Sequence, residues 1–446
     1  MELSLAGLAV KKAVSEGADE VEVYVQKRKV IQVEFAEKIE SFKAVEPVGM
    51  SLRVVFGKRI ALHSTSILSE DEVLEAAKKT VKLAKVAEED PNWNHLNRKF
   101  GKGPAEGYYD KEVEDLGYEE IIDTASSVTG WIKDYDKRVT PTRGILSIST
   151  TITSITNNYG EECSRKETNV VIWARAKAEE AGMKGTGTEH QESRYWKGIK
   201  FQDLALKTAE KTVKFLRAKP IQSEKMPAIF RNQIFANILG VILSGPINAD
   251  WVQKGRSPLS NKLGMLIASE NVNIVDDGVL NGGWRTRPFD DEGHATQRTL
   301  IVESGILKNY LYDSYTALKE GIESTGNALR RQYWIAPQPS PNNLILEPGT
   351  VGPDEMIRDT RRGIYIEETI GEWLSNPVSG NLNATVTHGY LIENGELKEP
   401  IKGVVISGNF YEILKNGIEL IGNDLRNSGE NYSPTVKLKE LTIAGK

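Results

Sequence analysis

One cysteine, Cys163, is all that 446 residues hold, so no internal disulfide can form and a reducing compartment is expected. Histidine is nearly as scarce. His63, His95, His190, His294 and His388 lie far apart, so no single helix or tight loop offers two imidazoles to a metal. HExxH, the phosphate loop GxxxxGK, GxSxG and CxxC are all missing. Their absence removes the local signatures of zincins, nucleotide loops, nucleophile elbows and paired-thiol sites. Gly185-Thr186-Gly187 lacks the third glycine of a dinucleotide loop and lies in polar sequence. No window comes near the roughly 18 apolar residues of a membrane span. The N-terminus has no basic stretch and turns polar after Val10, so no secretory signal is expected and the protein reads as cytoplasmic. An excess of one charge is missing too. The formal net charge is −5 with both signs mixed along the chain, which argues against a broad nucleic-acid surface. The small cluster Arg358, Arg361 and Arg362 reads as a solvated face.

The composition is otherwise that of a globular protein, 39% hydrophobic and 27% charged, and the length suits two or three domains. Residues 2–16 carry apolar side chains near helical spacing and stop at Gly17. EVEVYVQKRKVIQVEF alternates as a half-buried strand does, and MSLRVVFGKRIALHST reads as a hairpin turning at Gly57-Lys58. Ser69-Glu70-Asp71-Glu72 is a capping-box pattern that predicts a helix to about Glu88. Together these make a small N-terminal α+β domain, 1–90. Residues 91–116 open with prolines, glycines and no period, and read as a linker that leaves the first unit free to move. A middle α+β domain, 117–218, starts with a helix near 117–135, pairs ILSISTTITSITNN with NVVIWARAKA, and closes with a helix near 201–217. The remainder, 222–446, is strand-rich, with Asn394-Gly395 as a hairpin turn. The fold class is therefore α+β.

The densest chemistry lies in FDDEGHATQRTL, where Asp290, Asp291, Glu292 and His294 fall within five positions ahead of a strand. These are metal-ligand and acid/base residue types. Aspartates placed there also hold turns by accepting backbone N–H groups, and residue types alone favour that structural role. His190, between Glu189 and Glu192 in TGTEHQESRYW, reads as part of a polar loop. NQIFANILGVILSG, 232–245, is apolar on nearly every side, as a buried core helix is.

Several segments in order carry a family resemblance. They are KGRSPLSNKLG (254–264), NIVDDG (273–278), PFDDEGHATQRTLIVESGILKNYLYD (288–313), STGNALR (324–330), NLILEPG (343–349), NPVSGNLN (376–383), GYLIENGEL (389–397) and LIGNDL (420–425). With them the chain resembles the TldD/PmbA family, also called the modulator of DNA gyrase family. The resemblance implies two branches. One is a zinc metallopeptidase with HExxxH on the helix ahead of Lys254-Gly255 and a cysteine ligand near the C-terminus. The other, PmbA or TldE, lacks those ligands and partners the first in a heterodimer that cuts unfolded peptides. Helix 232–245 holds neither His nor Glu, and the segment after Gly422 holds no Cys and is read as running from Asn427 directly into the last strand. The chain is thus expected to be the non-catalytic, pseudo-enzyme subunit. It would bind no zinc itself, pair with a TldD-like metallopeptidase or with a second copy of itself, and take unfolded peptides. Both branches share FDDEG, so Asp290, Asp291, Glu292, His294 and, in STGNALR, Asn327 become candidates for a peptide cavity or an interface. The dimer contacts are expected in the C-terminal domain. Two other readings stand beside this one: a hydrolase built on Asp290, Glu292 and His294 with His190, or an indirect regulator of gyrase.

Overall fold

The computed structural model describes residues 2–445 and is α+β, with a strand-rich C-terminal half. Helix α1 (Glu2–Ser15) leads into β1 (Glu20–Phe35), β2 (Ile39–Val45), β3 (Val48–Phe56) and β4 (Arg59–Thr65). The β3–β4 hairpin turns at Gly57-Lys58, and α2 (Glu70–Val86) is capped by Ser69, whose hydroxyl accepts from Glu72 N. Short α3 (Lys111–Asp115) and α4 (Tyr118–Tyr135) precede the long strands β5 (Val139–Asn157), β6 (Glu162–Glu180) and β7 (Met183–Ser193), and α5 (Phe201–Lys214) follows. The segment around His190 is thus strand β7, hydrogen-bonded to β6, where a polar loop is expected from its composition. Its small and hydroxyl side chains fit under α5: a Cβ on Gly187 would lie 2.5 Å from the Thr208 carbonyl oxygen.

All these strands form one antiparallel sheet in the order β4-β3-β1-β5-β6-β7, with β2 also on β1. The expected freedom of residues 1–90 is not realised. β1 pairs with β5 from Glu22↔Asn157 to Phe35↔Gly144 without a break, so a sheet crosses the presumed hinge. Odd positions of β1 (Val21, Val23, Val25, then Ile31, Val33, Phe35) pack under the helices. The even positions Glu20, Glu22 and Tyr24 are buried as well. Alternation in the sequence suggested one wet face; here the polar face is covered by the C-terminal half.

That half begins with β8 (Glu224–Phe230), α6 (Asn232–Leu243), α7 (Ala249–Gln253), β9 (Ile274–Asp277), β10 (Arg298–Glu303), β11 (Ile306–Leu307) and α8 (Ser314–Glu320). It continues with β12 (Ala328–Leu329), β13 (Gln338–Pro339), β14 (Leu344–Leu346), α9 (Pro353–Arg358), β15 (Arg362–Ile370), β16 (Asn381–Glu393), β17 (Glu396–Ile401) and β18 (Val404–Asn409). Last come β19 (Ile418–Ile421), β20 (Arg426–Ser428), β21 (Asn431–Ser433) and β22 (Val436–Ala444). The ladder β15-β8-β22-β18-β16 closes on itself, because β15 pairs with both β8 and β16. Closure removes free edges from this sheet's core. Helix α6 packs on it through Phe235, Ile238, Leu239 and Ile242, all essentially buried. Among the described residues no helix is long and apolar enough to cross a membrane.

Candidate functional site

The FDDEG loop lies where the two halves meet. Asp290 Oδ1 accepts from Glu292 N and His294 N, both at 2.9 Å, and Oδ2 accepts from Ala328 N at 3.0 Å. Both of its oxygens are thus spent on backbone N–H groups that shape the turn. Gly293 is required by this turn: its φ is +79°, and a Cβ would lie 2.5 Å from the Phe100 ring. Burial pushes the Asp290 carboxyl up from its usual range, with His294 opposing.

Asp291 reaches the opposite way. Its Oδ1 meets Arg165 Nη2 at 2.6 Å and Arg287 Nη1 at 3.1 Å, and its Oδ2 accepts from Arg330 N at 2.8 Å. Burial alone would raise this carboxyl, but Arg287 and Arg165 hold it down at about 2. Glu292 is bound by Arg53 at 2.7 Å and by Ser314 N at 2.8 Å. The same Arg53 Nη2 lies 2.8 Å from Glu22 on β1, and Glu22 in turn takes Arg330 Nη2 at 2.5 Å. Arg330 stacks over Tyr24, and Arg165 over Phe289, each with 4.9 Å from guanidinium to ring centroid. Arginines from β3 and β6, carboxylates from β1 and the loop, and Arg330 just after β12 therefore form one buried, paired network. Buried charges survive only when paired in this way.

The 91–110 segment does not hang as a linker. It is laid along the same loop: Gly101 N donates to Gly293 O at 2.9 Å, Gly103 N to Pro288 O at 2.7 Å, and Asn97 Nδ2 to Glu292 O at 2.9 Å. Its prolines and glycines suit an extended strip that must approach another backbone closely. A Cβ on Gly103 would sit 2.3 Å from the Thr296 carbonyl oxygen.

Of the sequence candidates, only His294 reaches a cleft. Its Nε2 is 2.8 Å from Ser314 Oγ, on the wall of a cavity of about 540 Å³ shared with Leu96, Phe100 and Leu318. Asn327 is fully buried elsewhere in the junction, donating to Asp276 Oδ2 at 2.6 Å and to Ser340 O at 3.0 Å. His190 stands on β7 within 4.0 Å of Glu192, and no hydrogen bond or ion pair joins it to the FDDEG loop. The loop and His190 are therefore not assembled into one centre.

Two residues that the sequence left silent matter more to the network: Arg53 and Arg165, each in a strand whose alternation marks it as facing the sheet's second side. Asp276 belongs to NIVDDG, 273–278. It is fully buried, and burial pushes its carboxyl up to about 6 despite the Asn327 donor.

Helix α6 is the place where the resemblance puts zinc ligands in the catalytic branch. Its apolar side is in the core, and its polar stripe, Gln233, Asn237 and Gly240, faces the β20–β21 hairpin. Gln233 Nε2 donates to Asn427 O at 3.1 Å, Asn237 Oδ1 accepts from Ser428 Oγ at 2.8 Å, and a Cβ on Gly240 would strike the Asn431 side chain. The chain does not run straight from Asn427 into the last strand, as the sequence suggests. It folds into that small hairpin, which Glu192 holds by accepting from Asn427 Nδ2 at 2.8 Å. Amides and a glycine stand where a zinc centre needs imidazole, thiolate or carboxylate, so this donor set does not fit the metal. Among the described residues no three His, Cys, Asp or Glu side chains are grouped as a metal site requires.

Comparison with known proteins bears on the whole chain. The models of the PmbA/TldA metallopeptidase domain 1, central domain and C-terminal domain match residues 21–84, 111–216 and 223–445. An uncharacterised protein of Methanocaldococcus jannaschii is 29% identical, over 94% of this chain and 95% of its own. The metalloprotease PmbA of Escherichia coli O157:H7 is 30% identical, over 53% of this chain and 50% of its own. Among solved structures, TldE from Thermococcus kodakarensis superposes with a TM-score of 0.92 at 21% identity, covering 99% of this chain and 100% of that one. A Thermotoga maritima protein described as a modulator of a DNA gyrase superposes with a TM-score of 0.86 at 25% identity, over 100% of both chains. The chain belongs to the PmbA/TldD metallopeptidase family.

Proposed function

We propose that this chain is the non-catalytic subunit of a TldD/TldE-type peptidase, pairing with a zinc-bearing relative and helping to hold unfolded peptides. The observation that carries this reading is the donor set of α6 and the β20–β21 hairpin, in which Gln233, Asn237 and Gly240 meet Asn427, Ser428 and Asn431. A hydrolytic centre needs three metal ligands and a base beside the bound water. Here the polar stripe of α6 locks a hairpin to the helix. The peptide would be held in extended form through main-chain hydrogen bonds, a mode indifferent to most side chains. The partner would supply the zinc, and the pair would work in the cytoplasm.

A separate hydrolase at Asp290, Glu292 and His294 is less well supported. Asp290 is spent on three backbone N–H groups and Glu292 on Arg53 and Ser314, which leaves His294 alone at the cleft. Direct action on gyrase-bound DNA is disfavoured by the net charge of −5.

The test is elemental analysis of the chain purified without chelator, followed by co-expression with a relative carrying HExxxH. Substoichiometric zinc on this chain is expected, with peptidase activity only in the pair and lost when the partner's HExxxH is altered. About one tightly held zinc per chain, or activity of this chain alone, would overturn the assignment.

A further inference from the structure

A second cleft, of about 310 Å³, opens where β7, α5, β15 and the starts of α6 and β20 converge. Its walls are highly charged, yet every carboxylate on them is already engaged. Glu189 takes Lys211 at 2.5 Å and Arg231 through both oxygens at 3.0 Å. Glu367 takes the same Arg231 at 3.1 Å, and Glu210 takes Lys214 at 2.7 Å. Asp424 accepts from Asn232 Nδ2 at 2.9 Å and from the Thr435 N–H and hydroxyl at 2.8 Å.

The group left over is Arg426. Its guanidinium lines the cleft and makes no hydrogen bond or ion pair with any described residue. Burial, and then the like charge of Arg231, push it below its ordinary range, with Glu189, Asp203 and Glu192 opposing from beyond contact distance. Tyr365 and Tyr390 line the same cleft, and their hydroxyls make no hydrogen bond to any described residue. One free planar cation with neutral donors beside it matches a carboxylate, which a guanidinium can bind through two parallel hydrogen bonds. The engaged carboxylates on the walls would repel a doubly charged phosphate more strongly.

We propose that this cleft is a binding subsite for the C-terminal carboxylate of a peptide, with Arg426 as its counter-ion and Tyr365 and Tyr390 as further donors. The choice of a peptide end rests on the reading of the chain as part of a peptide-handling assembly; the cleft itself belongs to this chain alone. The experiment is therefore a calorimetric titration of the isolated full-length protein, so its outcome is independent of zinc content and of pairing. The probes are N-acetyl-trialanine, its C-terminal amide, and inorganic phosphate. The acid is expected to bind at least about tenfold more tightly than the amide, the size of one lost charge-assisted contact. R426Q should erase that preference without lowering the unfolding midpoint, since Arg426 has no partner to lose. Y365F should weaken the acid severalfold while keeping the preference for it. Equal affinity for acid and amide, no binding of either, a preference that survives R426Q, or tighter binding of phosphate than of the acid would each overturn the proposal.

Discussion

Replacing Asp276 by asparagine probes a fully buried acid of the junction whose carboxyl is held above its usual range. Asp276 Oδ2 receives Asn327 Nδ2 at 2.6 Å, while Asp276 Oδ1 and Asn327 Oδ1 are both buried without a partner. The amide is not free to turn over, because its nitrogen also donates to Ser340 O at 3.0 Å. A proton on Asp276 would neutralise a buried carboxylate whose second oxygen has no donor. Burial accordingly raises this carboxyl from 3.8 to about 6. A raised acid adds stability that is complete below the unfolded value and is lost as pH climbs through the folded one. Over the full interval, about 2 units, that is about 3 kcal/mol; between pH 5 and pH 8 it is about 1.4 kcal/mol. In D276N the new amide N–H takes the place of the proton at every pH. The variant should then be at least as stable as the parent at pH 8, by up to about 3 kcal/mol, and its advantage should shrink by about 1.4 kcal/mol at pH 5. Urea unfolding of both proteins at the two pH values measures this, and other titrating groups cancel in the difference. A D276N protein that is more than about 1 kcal/mol less stable than the parent at pH 8, or a difference that does not change with pH, would refute the acid–amide pairing.

Other perturbations address the junction and the core. Asp291→Ala takes a shared carboxylate from Arg165, which keeps Glu167, and from Arg287, which keeps only neutral partners, and should cost about 3–5 kcal/mol by urea unfolding, whereas a cost near zero would mean the network is wet. Ile238→Ala on α6 should cost about 2–5 kcal/mol as a core truncation, with zinc content and partner association unchanged in whatever protein folds. Removing residues 1–110 strips β1 from β5 and takes Glu22 from Arg330 and Arg53 from Glu292, so the fragment should aggregate or show no cooperative unfolding; a monodisperse, cooperatively folding fragment would contradict the shared sheet. His294→Ala removes the bond to Ser314 but no ion pair, and peptidase activity of the reconstituted pair should stay within about threefold, against a hundredfold or greater loss for a transition-state role.

Local signals in the chain did their work wherever the physics is local. Ser69 ahead of acidic residues capped a helix, Gly57-Lys58 and Asn394-Gly395 turned hairpins, and the apolar run 232–245 became a core helix. Asn394 and Gly395 have φ of +52° and +80°, which is what a tight two-residue turn asks of them. Helix α8 escaped because its signal is short. Asp313 and Thr316 form a reciprocal cap for only seven residues, within a half of the chain that reads as strand-rich. Strand β7 escaped because glycine and threonine under a helix look like a polar loop when the helix is out of sight.

The fold class, the family and the lack of His and Glu in helix α6 could be read from sequence alone, because each depends on residue identities at short spacing. What the DDEGH cluster is for could not. Four acid/base side chains in five positions are compatible with catalysis, metal binding or architecture, and two of the arginines that decide between these lie over 100 residues away, Arg165 on Asp291 and Arg53 on Glu292. The same holds for Glu22, which reads as a solvent-facing strand residue until Arg53 and Arg330 close over it. Whether a charge is a reactive group or half of a buried pair depends on which groups lie a few ångströms off in space, and only the packing of the β1–β5 sheet against the C-terminal half brings those groups together.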